Sequence, residues 1–230
     1  MDWTDTRAGR SPRWYPLVGA LIGTAAALVY AALTWMFPPA LAALGAVGFG
    51  MLLTGCLHED GLADVCDGLG GGATRERALE IMRDSRIGAF GALGLGLVVA
   101  ATVMALADLP PVVAAMGLIA GHAASRAAIV FVVLTCDYAR ADGAARHVAQ
   151  DASDRGVAQV VLISMVVALA PLAFVAGLPA VFCGLVGLVL GVVVIRCAFM
   201  RRLGGYTGDC LGGTQQLAEI GFYLGVLAWL

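Results

Sequence analysis

The chain has 230 residues, of which 60% fall in the hydrophobic set and only 13% are charged, and its mean hydropathy is +0.90. A soluble domain carries about 25% charged residues, so this composition excludes a water-soluble globule and implies an integral membrane protein. The net charge of −2 says little, because where the charges sit matters more than their sum. Nucleic acid is not an expected partner.

Bilayer-spanning helices need about 20 apolar residues, and reading along the chain gives seven candidates. They run over roughly Tyr15–Phe37, Pro39–Leu57, Ile87–Ala107, Pro110–Thr135, Val157–Ala176, Pro179–Phe199 and Leu217–Leu230, the last one short. Turn signals at Pro38-Pro39, Pro110-Pro111 and Gly177-Leu178-Pro179 separate them. The expected fold is an all-α, polytopic helical bundle in a single domain. The first apolar run is too long for a signal segment, so no cleaved leader is expected.

Charge sets the expected orientation. All 14 basic residues are arginine. Arg7, Arg10 and Arg13 precede the first segment. Arg75, Arg77, Arg83 and Arg86 follow the second; Arg140, Arg146 and Arg155 follow the fourth; Arg201 and Arg202 follow the sixth. The other connections hold none, so the positive-inside tendency puts the N-terminus in the cytoplasm. Of 16 acids only Asp108 falls in an outer connection. Chemistry is thus expected on the inner face, in the stretches Leu57–Arg86, Cys136–Gly156 and Arg201–Gln216. The six cysteines show no metal-binding spacing and read as unpaired. Gly117/Gly121 and Gly187/Gly191 form small-xxx-small pairs, read as close helix packing within the chain.

The stretch GCLHEDGLADVCDGLGGG follows the second segment. Asp60, Asp64 and Asp67 are spaced i, i+4, i+7 and share one helical face. Two carboxylates about 6 Å apart repel by roughly 3 kcal/mol at an effective dielectric of 20, so a proton or a metal must compensate. Hard oxygens favour Mg²⁺ or Mn²⁺ over zinc, and Asp64 sits where it would bridge two ions. His58 fits a general base, a metal ligand or a hydrogen-bond donor. The glycines of GLGGG, Gly68 to Gly72, suit a phosphate cradle or a hinge. Thr74 is placed to cap an amphipathic interfacial helix over TRERALEIMRDSR. Asp84 is a further metal-ligand candidate, and Arg83 and Arg86 are candidates for phosphate or for membrane anchoring.

His122 and Arg126 share a face of the fourth segment, with Ser125 beside them. An arginine inside a span usually faces a polar cavity, so Arg126 is a candidate phosphate ligand or a partner to an acid elsewhere. CDYARADGAARHVAQDASDRG reads mainly as a solvated loop, with Arg140, Asp142 and Gly143 its members of interest. GGYTGDCLGGT reads as a second half-site: Asp209 a metal-ligand candidate, Gly205 and Thr207 candidates for substrate phosphate, Glu219 a support.

HEDGLADVCDGLGGG, MRDSRIGAFG and GGYTGDCLGGT, in this order with apolar segments between, resemble the cobalamin synthase (adenosylcobinamide-GDP ribazoletransferase) family along essentially the whole chain. YPLVGALIG also fits that family's first span. The resemblance implies an inner-membrane, Mg²⁺-dependent enzyme that joins adenosylcobinamide-GDP to α-ribazole or α-ribazole 5′-phosphate, releasing GMP. It carries metal or catalytic roles onto Glu59, Asp60, Asp64 and Asp67, and later ones onto Asp84 and Asp209. His58 or Glu59 would take the hydroxyl proton. Cys66 and Cys210 depart from the small or hydroxyl residues expected there. Implied partners are the two substrates and the bilayer, with a homo-oligomer or other corrinoid-assembly enzymes compatible. A CDP-alcohol phosphotransferase is the alternative enzyme, but Asp60-Gly61 is followed by Leu-Ala-Asp rather than that family's Ala-Arg pattern. A cation transporter would need acids at mid-span on several helices, and a membrane anchor for corrinoid assembly would leave the acid cluster unexplained.

Overall fold

A computed structural model describes residues 11–140 and 155–230. A 3-10 turn, Ser11–Trp14, leads into α1 (Tyr15–Leu33). Then follow α2 (Pro39–Thr54), α3 (Leu57–Gly71), α4 (Arg75–Ile81), α5 (Ala89–Asp108), α6 (Pro111–Thr135), α7 (Arg155–Leu203) and α8 (Gly208–Trp229). Among the described residues the only β pairing is an isolated parallel bridge between Tyr138 and Tyr206. The all-α expectation holds. Asp142 and Gly143 lie outside the described residues.

Proline opens α2 and α6 at the first turn, where its missing N–H costs nothing. Thr74 caps α4 by accepting from the Arg77 N–H at 3.2 Å, as the sequence predicts. Between α2 and α3 the chain turns through left-handed Gly55 (φ 64°) and Cys56 (φ 56°), and the two helices meet at 92°. α3 therefore leaves the line of α2 and crosses the end of the bundle.

Four helices among the described residues are long and apolar enough to span a bilayer, or five if α2 and α3 make one bent span. The sequence predicts seven, and the difference has two sources. The first is α7, whose 49 residues hold two helices joined at a break, so that two of the predicted segments fall within one element. A straight helix of that length would reach ~74 Å, over twice a bilayer core. It breaks at Gly177 (φ 84°, ψ 161°), where the sequence predicts the turn. The second is α8, which starts at Gly208 rather than Leu217 and whose first half is polar and buried.

α8 packs most extensively on α7 and also meets α3, α5 and α6. Glycine makes this closeness possible. A Cβ on Gly187 would collide with the Gly221 carbonyl, and one on Gly221 with the Gly187 carbonyl, so the two backbones touch. The Gly187/Gly191 pair thus serves packing inside the chain. Tyr30, Phe199, Phe222, Tyr223 and Leu118 fill the interior, while Trp35, Leu52, Phe174 and Leu178 point outward. That outward apolar surface belongs to a membrane protein, for which lipid is the solvent. All six cysteines are free.

Candidate active site

The site begins where α3 crosses the start of α8. A Cβ on Gly61 would lie 2.9 Å from the Asp209 carbonyl and 3.2 Å from the Gly212 Cα; one on Gly212 would lie 2.9 Å from the His58 carbonyl. Two glycines facing each other let the helices meet backbone to backbone. The contact carries Asp209, in the first turn of α8, up to the face of α3 that bears Asp60 and Asp64. The positive end of the α8 dipole favours an anion at that position. The sequence predicts a loop there, but residues from Gly208 onward are already helical.

Asp60 is exposed and Asp64 half-buried. Neither carboxylate has a hydrogen-bond partner among the described residues. Burial, together with the charges of Asp60, Asp209 and Asp67 and against a smaller opposing effect of Arg140, raises the Asp64 carboxyl to about 6. Asp209 is held by Arg140, whose Nη2 lies 2.9 Å from Oδ2. The Thr207 hydroxyl donates to the same oxygen at 3.2 Å. Tyr206 pairs with the 137–139 segment: its N–H donates to Asp137 O at 2.9 Å, and its carbonyl accepts from Ala139 N–H at 2.8 Å. Arg75 fastens both connections by donating from Nε to Leu203 O at 2.8 Å and from Nη2 to Ala139 O at 2.7 Å.

Several other nominated residues lie elsewhere. Both Asp67 oxygens accept backbone N–H groups at the start of α5, from Gly88 at 2.7 Å and Gly91 at 2.8 Å. Asp67 thus docks α5 onto α3. Asp84 binds Arg86 through Nε and Nη2 at 2.6–3.1 Å; hydrogen bonds from Arg86 hold its carboxyl down at about 2. Arg83 is exposed, and its side chain has no hydrogen-bond partner among the described residues. Gly205 allows the close approach of the Asp137 carbonyl, and Thr207 caps α8 by accepting from the Cys210 N–H at 3.3 Å. Gly68 to Gly71 form the end of α3 rather than a phosphate loop. Among the described residues no three His, Cys, Asp or Glu side chains converge on one point. The hard-oxygen donors that share a face are Asp60, Asp64 and Asp209.

His58 and Glu59 point to another place, a pocket inside the bundle. Its walls include Thr54, Thr102, His122, Arg126, Gln216 and Glu219. There the Glu219 carboxylate is saturated. Oε2 accepts from His122 Nδ1 at 3.1 Å and from the Gln215 amide; Oε1 accepts from the Tyr223 hydroxyl at 3.1 Å. The Ser125 hydroxyl lies 3.3 Å from Oε2. Arg126 donates to the His122 carbonyl at 3.0 Å. The Gln216 amide donates to Glu59 Oε1 at 2.8 Å and to Gln215 Oε1 at 2.9 Å. Glu59 Oε2 is buried with no partner among the described residues. Glu219, expected to begin a span, instead sits deep in the bundle.

The cobalamin-5-phosphate synthase family model matches residues 1–227. The chain belongs to that family. A relative from Ralstonia nicotianae is 42% identical over 96% of this chain and 85% of its own length. One from Azorhizobium caulinodans is 44% identical over 93% and 82%, and one from Shewanella amazonensis 38% identical over 99% and 88%. All three are named adenosylcobinamide-GDP ribazoletransferase. No solved structure matches the chain. The residues that sequence reasoning missed are Gly61, Gln215 and Gln216. The paired glutamines inside an otherwise apolar segment were the available signal, because amides in lipid need partners.

Proposed function

We infer that the protein joins adenosylcobinamide-GDP to α-ribazole or α-ribazole 5′-phosphate at the cytoplasmic face of the inner membrane, in cobalamin biosynthesis. The observation that carries this reading is the whole-chain family match, supported by the electrostatic proximity of Asp60 and Asp209 to Asp64. In the reaction a ribose hydroxyl of ribazole attacks the phosphorus linked to cobinamide. A new P–O bond forms, the phosphoanhydride bond breaks, GMP leaves with the bridging oxygen, and the hydroxyl proton passes to solvent.

Asp60, Asp64 and Asp209 are the residues that would hold Mg²⁺, because two of the three carboxylates are free of hydrogen bonds and all are hard oxygen donors. Bound there, the ion would neutralise charge on the pyrophosphate and on departing GMP. Asp64 orients toward this face from the middle of the acid stripe. Thr207 and the α8 cap hold Asp209 in position. Asp67 fixes the angle between α3 and α5, and Glu59 and Glu219 hold the packing beneath. The arginine distribution supports a cytoplasmic N-terminus.

The test is GMP release by purified, detergent-solubilised protein given adenosylcobinamide-GDP and α-ribazole, with Mg²⁺ or with chelator. Mg²⁺-dependent GMP with a matching cobalamin product is expected. Folded, metal-supplied protein that makes neither would overturn the reading.

A further inference from the structure

We propose that the pocket inside the bundle takes one primary carboxamide from the rim of the corrinoid substrate, its N–H donating to Glu59 and its carbonyl accepting from Arg126. The identity of the occupant rests on the substrate reading above. Glu59 is only 9% exposed. Its Oε1 accepts from the Gln216 amide at 2.8 Å, and its Oε2 is buried with no partner among the described residues. A buried carboxylate oxygen left unmet is costly, so the pocket is short of a donor. Arg126 is 4% exposed and forms another wall of the same pocket. Its hydrogen bonds among the described residues both leave from Nη1 and go to His122, so Nη2 and Nε remain to donate.

Charge and size narrow the occupant. Glu59 and Arg126 act on each other electrostatically, while Glu219 is met by its own donors. An anion would be repelled by Glu59 and a cation by Arg126, so a neutral group with a donor and an acceptor suits both. The cavity volume is about 30 Å³, the room of two waters at roughly 15 Å³ each. That admits the nitrogen and oxygen of a carboxamide and excludes a nucleotide base, the ring system of ribazole or a corrin ring. Adenosylcobinamide-GDP carries primary carboxamides on short arms around its corrin ring. A carboxamide that repeats the hydrogen bonds of the waters it displaces loses no polar contact. Thr54 and His58 bring the pocket up to the bend between α2 and α3 and are half-buried there. Glu59 directly precedes Asp60, so a corrinoid held by one arm in the pocket stays near the acids.

The experiment measures equilibrium binding of adenosylcobinamide, which lacks the GDP, to the full-length protein in detergent, by ultrafiltration and corrin absorbance. Binding of α-ribazole and GMP release are measured alongside, with the unfolding midpoint as the check on folding. Gly50 lines the pocket, and a Cβ there would meet only the His122 ring at 3.8 Å. Gly50→Ala thus takes up pocket space without a clash and should weaken adenosylcobinamide binding about tenfold, leaving α-ribazole binding as in the parent. Glu59→Gln replaces the unmet acceptor with a donor and should weaken it by a similar factor, the worth of one hydrogen bond to a charged group. Adenosylcobinamide with its carboxamides hydrolysed to carboxylates should bind the parent at least about tenfold more weakly. Parent-like adenosylcobinamide binding in folded Gly50→Ala and Glu59→Gln would overturn the inference and mean that the pocket holds water only. A loss confined to α-ribazole would overturn it in favour of a sugar hydroxyl. A parent that binds adenosylcobinamide in this pattern but releases no GMP would leave the pocket standing and remove the transferase reading, a separate result.

Discussion

Two acidic regions lie on either side of α3, and they are built in opposite ways. On the exposed side the carboxylates of Asp60 and Asp64 have no hydrogen-bond partners among the described residues. Inside the bundle Glu219 accepts from His122, Gln215 and Tyr223. Around Glu219 the inner region is closed by its own donors and cross-links α6 to α8, while Glu59 Oε2 there has no partner among the described residues. The outer region is left short of positive charge. In a membrane protein the first pattern marks structure and the second marks a place that something else completes.

The largest effect should come from breaking the closed region. Glu219→Leu leaves Arg126 and His122 buried without their acid and should cost about 3–5 kcal/mol, read as a lower unfolding midpoint in detergent. A midpoint equal to the parent's would mean that the network is not a cross-link. Asp64→Asn acts on the open region and should do the reverse. Turnover should drop about 10²–10³-fold with thermal unfolding unchanged, since removing one of several repelling charges strains nothing. Full metal-dependent turnover in that variant would sink the role given to Asp64.

Gly61→Ala tests the crossing that separates the two regions. The added Cβ would lie 2.9 Å from the Asp209 carbonyl, so α3 and α8 must part, at a cost of about 1–3 kcal/mol. Both the unfolding midpoint and GMP release should fall together. The smallest effect belongs to Asp84→Asn. Its partner Arg86 is exposed on the surface, so neither turnover nor unfolding should change measurably, and a strong loss of activity would return Asp84 to the site.

Much of this was legible beforehand. The i, i+4, i+7 spacing places Asp60, Asp64 and Asp67 on one face of a helix, and Thr74 is the cap that its position predicts. The Gly177 turn fell where the sequence put it. The split among the acids was not legible, because a carboxylate's partners come from other helices. Nothing near Asp67 in sequence says that the amides of Gly88 and Gly91 will take its oxygens. Glu59 and Asp60 are neighbours, yet they differ by about 100° around a helix, which sends one into the pocket and the other to the surface.

The sequence by itself determined the class of molecule, the helical fold, the apolar segments and the concentration of acids at their ends. Those are consequences of composition and short-range periodicity, which act residue by residue. Only the tertiary structure decided which acids meet. Backbone contact at Gly61 and Gly212 brings Asp209 across from the far end of the chain, and no local pattern encodes the angle at which two helices cross.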